Sequence, residues 1–148
     1  MGQVTALAPR ASSNTPYWAR LSRPRECSYP EGDWEILAAH WFPVARSEDL
    51  GEQPVQTKLL DVKLVVYRTS DRIVVARDLC PHRGVPLSMG WVEHDEIVCP
   101  YHGLRFASDG KCTRIPAQPS VVPSDRFRAS VLPSVERYGL VWTCLDLP

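Results

Sequence analysis

From about residue 57 onward, short apolar and β-branched runs alternate with clusters of turn formers. Val62–Arg68 reads VKLVVYR and Ile73–Arg77 reads IVVAR. Runs of this length, rich in Val, Ile and Tyr, predict strands. The same pattern predicts strands over Thr57–Leu60, Trp91–Glu93, Ile97–Val98, Leu104–Ala107, Phe127–Leu132 and Leu140–Leu145. Thr69-Ser70-Asp71 and Ser108-Asp109-Gly110 fall between strands as hairpin turns. Residues 114–125 contain Pro116, Pro119 and Pro123 and read as a long loop. No window holds a helical period for more than a turn or two. Residues 1–33 are rich in Pro, Ser and Arg and have no period. The pattern therefore predicts an all-β domain over residues 34–148, behind an irregular N-terminal arm over residues 1–33.

At 148 residues the chain suffices for one domain with its own core. Seventeen basic side chains balance seventeen acidic ones. This gives no electrostatic case for nucleic acid or an anionic membrane surface as partner. No apolar run approaches the ~18 residues of a membrane-spanning helix, and no secretory signal is visible. Residues 1–25 carry Arg10, Arg20, Arg23 and Arg25 and no acid, loosely like an organellar transit peptide. Pro9, Pro16 and Pro24 break any helix there, so a disordered or surface-hugging arm is the preferred reading. Five cysteines are present, and Cys27, Cys112 and Cys144 stand singly. That odd, scattered set points to a reducing, cytoplasmic compartment.

The other two cysteines belong to a motif. CPHRGVPLSMGWVEHDEIVCPYH places Cys80 and His82 as C-x-H, then sixteen residues, then Cys99 and His102 as C-x-x-H. Each pair follows a predicted strand, so two loops at one end of the domain could each present a thiolate and an imidazole. A tetrahedral zinc site is one candidate, although zinc modules usually pair Cys with Cys and His with His. A binuclear cluster is a second, with both cysteines on one iron and both histidines on the other. Cysteine catalysis by Cys99 beside His102 is a third, and it leaves Cys80 and His82 unexplained. His40 lies in an apolar stretch and is expected to be packed and hydrogen-bonded. His94, in the EHDE turn, is expected to be solvated.

The spacing C-x-H-x16-C-x-x-H, with CPHRG and CPYHG around it, resembles the Rieske signature in its oxygenase branch. The likeness extends over residues 40–145. HWFPVARSEDL resembles that family's first strand, ASDGKC its turn after the second ligand loop, and VERYGLVW its final strand. The resemblance implies a Rieske-type antiparallel β-sandwich with two cluster-binding loops. It implies a [2Fe–2S] cluster whose inner iron is held by Cys80 and Cys99 and whose outer iron is held by His82 and His102. Pro81, Arg83, Pro100, Tyr101 and Gly103 would line the shielding loops. Respiratory relatives tie the two loops with a disulfide, but the matching positions here are Val85 and Tyr101.

The same resemblance implies one-electron transfer from a flavin- or ferredoxin-type reductase to a mononuclear iron in an oxygenase domain or subunit. That iron needs two histidines and a carboxylate, and His40 and His94 supply no such set, so no catalytic residue is expected here. The chain would be the N-terminal domain or a subunit of a Rieske oxygenase. A free-standing Rieske ferredoxin is the alternative, and a structural zinc module a remote one.

A redox expectation follows from two positions. High-potential Rieske proteins carry a serine two residues after the last histidine ligand and a tyrosine two residues beyond. Their hydroxyls donate to the cluster sulfurs and favour the reduced state. Leu104 and Phe106 occupy those places here. Protein-film voltammetry at pH 7 should find a midpoint toward the lower end of the ~−150 to +300 mV range of Rieske centres. A midpoint well above ~+100 mV, in the upper half of that range, would contradict this.

Overall fold

The structure, a computed structural model, describes residues 21–146. Among the described residues one α-helix, α1 (Glu31–Ala38), precedes eleven strands. They are β1 (Phe42–Arg46), β2 (Val55–Leu59), β3 (Val62–Arg68), β4 (Ile73–Arg77), β5 (Trp91–Glu93), β6 (Glu96–Val98), β7 (Arg105–Phe106), β8 (Cys112–Arg114), β9 (Val131–Leu132), β10 (Ser134–Arg137) and β11 (Leu140–Thr143). They form three antiparallel sheets, ordered β1-β11-β10, β2-β3-β4-β9 and β5-β6-β7-β8.

The second sheet packs on both faces, which explains the unbroken apolar runs of β3 and β4. Side chains alternate across a strand. Leu64, Val66, Ile73 and Val75 join one core with Val141 and Leu145 on the β1-β11-β10 side. Val65, Tyr67, Val74 and Ala76 join a second core with Ile97, Phe106 and Cys112 of the third sheet. A strand apolar on both faces cannot show the alternation of a half-buried one. The expected β-sandwich is therefore present as three sheets around two cores.

The helix is a departure from the expected pattern, and it crosses the expected boundary between residues 33 and 34. Its eight residues bury Trp34 and Ala38, one turn apart. A single buried pair is too little to register as a period. Trp34 N–H donates to the Pro30 carbonyl at 3.0 Å, and its indole Nε1–H donates to the Leu60 carbonyl at 2.9 Å. Ahead of it, the Ser28 amide and hydroxyl both donate to Asp61, at 2.8 and 2.5 Å. Of the arm expected over residues 1–33, residues 1–20 lie outside the described residues.

Several strand expectations shift, among them Thr57–Leu60, which is observed as Val55–Leu59. The strand expected over Phe127–Leu132 is reduced to β9, because Phe127 closes a turn through its amide to the Ser124 carbonyl at 2.9 Å. Leu104–Ala107 contracts to β7, since Leu104 belongs to the preceding loop. Leu140–Leu145 ends at Thr143, where the Leu145 amide turns to the Ala38 carbonyl at 3.0 Å. Both expected hairpin turns are present, with Thr69 N–H on the Arg72 carbonyl and Gly110 N–H on the Ala107 carbonyl.

Gly90 matters for the placement of the ligand loops. It follows the 3-10 turn Leu87–Met89, where the chain returning from the first loop enters β5 alongside β6, the strand that feeds the second. A Cβ on Gly90 would lie 1.9 Å from the Val98 carbonyl oxygen. Gly90→Ala should destabilise the fold by about 2 kcal/mol or more in urea denaturation. At Gly51 an added Cβ meets nothing within 4 Å, and Gly51→Ala should be nearly neutral. An unchanged midpoint for Gly90→Ala would refute this close approach.

Candidate metal centre

The two ligand loops share one backbone design. In the first, the Cys80 amide donates to the Val85 carbonyl at 2.8 Å and the Gly84 amide to the Cys80 carbonyl at 2.9 Å. In the second, the Cys99 amide donates to the Leu104 carbonyl at 2.9 Å and the Gly103 amide to the Cys99 carbonyl at 3.0 Å. Both loops read C-P-x-x-G, and both glycines take the left-handed conformation, φ 75° at Gly84 and 70° at Gly103. A side chain resists that conformation, so glycine closes each loop. The histidine is the third residue of the first loop and the fourth of the second.

Together the loops separate the donors by type. Cys80 and Cys99 are 2% exposed and sit in the second core with Leu87, Ile97, Leu104 and Phe106. The two thiols are near enough to influence each other's ionisation. Burial pushes the Cys80 thiol up to about 12, and the Cys99 thiol adds to the rise, while the amides of His82 and Arg83 pull the other way. In the absence of a metal this buried thiol keeps its proton. A bound cation would displace that proton, and the two amides already point at the sulfur.

The imidazoles stand at the surface. Both rings are exposed, their Nδ1 atoms lie 3.2 Å apart and their centroids 5.0 Å apart. Two nitrogens ~2.0–2.1 Å from one tetrahedral ion, the range for zinc, would stand roughly 3.3 Å apart. The observed spacing therefore fits a shared ion. Two buried thiols in one core and two surface imidazoles in contact match a binuclear centre with unlike ends. Among the described residues, no three His, Cys, Asp or Glu side chains gather where a lone metal ion could sit.

The expected lining residues divide by role. The Arg83 amide faces Cys80, while its side chain is exposed. Tyr101 is exposed, with its ring 3.9 Å from His102. Gly103 closes the second loop. Leu104 and Phe106 are buried and bring no hydroxyl to the core. All five cysteines are free. His94 is exposed, as expected. His40 corrects the expectation of a packed ring: its Nδ1 pairs with the Ile36 carbonyl at 2.8 Å, but the ring is exposed at the end of α1.

Sequence reasoning missed two neighbours of the site. Phe127 lies 5.7 Å from the His82 ring, brought there by the turn that ended its expected strand. Asp78 lies buried two residues before Cys80. Neither belongs to the motif, and both depend on long-range packing.

Comparison with known proteins agrees with the geometry. The Rieske [2Fe–2S] domain family matches residues 40–135. The chain is 36% identical over 118 residues to the methylxanthine N1-demethylase NdmA of Pseudomonas putida, covering 76% of this chain and 34% of that protein. It is 41% identical over 114 residues to the 3-chlorobenzoate-3,4-dioxygenase oxygenase subunit of Comamonas testosteroni, covering 72% of this chain and 26% of that protein. A solved structure of Pseudomonas putida NdmA superposes with a TM-score of 0.73 at 36% identity, covering 76% of this chain and 36% of that one. The chain thus spans about a third or less of the length of these relatives. The paired donors and the family match lead to one conclusion: the chain belongs to the Rieske [2Fe–2S] domain family.

Proposed function

We propose that Cys80 and Cys99 hold one iron of the cluster and His82 and His102 the other, and that the chain relays single electrons within a Rieske oxygenase. The electrons would come from a flavin- or ferredoxin-type reductase and go to a mononuclear iron outside these 148 residues. The observation that carries this is the division of four donors into a buried thiol pair and an exposed imidazole pair.

When bound, the cluster supplies a one-electron couple. The chain's own residues decide how that couple meets its surroundings. The core around Cys80 and Cys99 keeps water from the sulfur end. The exposed His82 and His102 rings offer the edge at which a redox partner can come close. Tyr101 and Phe127 flank those rings and restrict how they turn. Neutral imidazole in place of two thiolates lowers the negative charge of the centre and raises its potential above that of an all-cysteine cluster.

The relatives named as a demethylase and an oxygenase subunit favour the oxygenase setting over a free-standing ferredoxin. No helix among the described residues is long and apolar enough to cross a membrane. Five unpaired cysteines suit a cytoplasmic location.

The purified protein should be red-brown, with two irons and two acid-labile sulfides per chain. Cys99→Ser or His82→Ala should remove the visible absorbance and lower the thermal midpoint, because the loops lose what joins them. Cys27→Ser should leave colour and iron content unchanged. One zinc per chain and a colourless protein would overturn the reading.

With reductase, dioxygen and an aromatic ether or N-methyl substrate supplied, this chain alone should take up and release electrons without oxidising the substrate. Substrate turnover by the isolated chain would contradict the placement of the oxygen chemistry elsewhere.

A further inference from the structure

The two ligand loops are closed at their bases in different ways. The second grows out of a hairpin, and the β6–β7 register, Val98 opposite Arg105 and Ile97 opposite Phe106, fixes its base. The first has no such ladder. It leaves the end of β4 and returns into the 3-10 turn Leu87–Met89.

Asp78 bridges that gap. Its Oδ1 accepts the Ser88 amide at 2.7 Å, and its Oδ2 accepts the Ser88 hydroxyl at 2.6 Å and the Gln56 side-chain amide at 2.5 Å. The Asp78 amide donates to the Lys63 carbonyl at 2.9 Å. These contacts lie just outside the Cys80–Val85 hydrogen bond that closes the loop itself. At 4% exposure Asp78 is the only buried acid among the described residues. A buried carboxylate is costly unless its hydrogen bonds are met, and here neutral donors meet them.

The same serine bracket occurs twice elsewhere. Asp61 takes the Ser28 amide and hydroxyl, and Asp95 takes those of Ser70 at 2.7 and 2.6 Å. Both of those pairs are exposed and join ordinary turns. Only the Asp78 bracket is built on a buried acid and stands two residues from a cysteine of the site.

We propose that Asp78 is a positioning residue for the cluster. With Ser88 and Gln56 it closes the base of the first ligand loop and sets where Cys80 and His82 stand against Cys99 and His102. The proposal rests on the assignment of Cys80 and His82 as ligands.

The test uses the cluster-loaded chain and two readouts. One is the rate of bleaching by a chelator, and the other is the EPR signal of the dithionite-reduced protein. Removal of a group that orients metal ligands typically weakens a site ~10- to 100-fold. Asp78→Ala should bleach about 10-fold faster or more and give a broadened or shifted EPR signal. Asp78→Asn keeps an oxygen for the Ser88 amide and should bleach within about threefold of the parent, at the low end of such effects. Ser88→Ala should fall between them. Asp95→Ala removes the same kind of bracket from the turn between β5 and β6, outside both ligand loops, and should leave both readouts unchanged.

Parent-like bleaching and EPR in Asp78→Ala would overturn the proposal, as would equal changes in Asp95→Ala. If Asp78→Ala does not load, Asp78→Asn and Ser88→Ala decide. Unchanged readouts in both count against the bracket, and faster bleaching with an altered signal in Ser88→Ala supports it. Cys80→Ser tests the underlying assignment separately: a parent-like cluster there would remove the ligand, whatever Asp78 does.

Discussion

Two loops of one backbone design must meet so that sulfur faces inward and nitrogen faces outward. The hydrogen bonds of Cys80 with Val85 and Gly84, repeated by Cys99 with Leu104 and Gly103, give each loop its shape. The cysteines open the loops at equivalent places and point into the same core. The histidines do not occupy equivalent places. An offset of one residue, His82 third and His102 fourth, accompanies the meeting of the two rings at 3.2 Å. Identical offsets would give two copies of one loop but would change where one ring stands.

The double-faced central sheet makes this possible. One face of β3 and β4 holds the core beneath α1 and β11, and the other supplies Val65, Tyr67, Val74 and Ala76 to the core that receives the thiols. That apolar floor has an electrostatic consequence. It raises the cost of charge on Cys80 until a cation arrives. Leu104 and Phe106 extend the floor toward the sulfurs and provide no hydroxyl where a donor would stabilise added electron density. A buried end without such donors accords with the low potential expected from Leu104 and Phe106, and the imidazole end is exposed.

Much of this was legible in the sequence. VKLVVYR and IVVAR name the central strands, and the mixed Cys/His half-sites name the metal chemistry, because few sites need a thiolate and an imidazole from each of two loops. The helix over Glu31–Ala38 was not legible, since one buried pair, Trp34 and Ala38, makes no pattern. Phe127 looked like the start of a strand because local propensity cannot see the turn to Ser124 that carries it to His82. Asp78 belongs to no motif. Its burial depends on Ser88 and Gln56, ten and twenty-two residues away in sequence. His40 makes the expected hydrogen bond, to the Ile36 carbonyl, but the end of α1 leaves its ring exposed rather than packed.

The central claim is that both imidazoles serve the same iron. Pulsed EPR on the reduced protein, grown with 15N-histidine, tests it most directly. The account predicts two strongly coupled nitrogens that disappear with the cluster in His82→Ala or His102→Ala. A single coupled nitrogen, or none in a protein that retains its cluster, would contradict it.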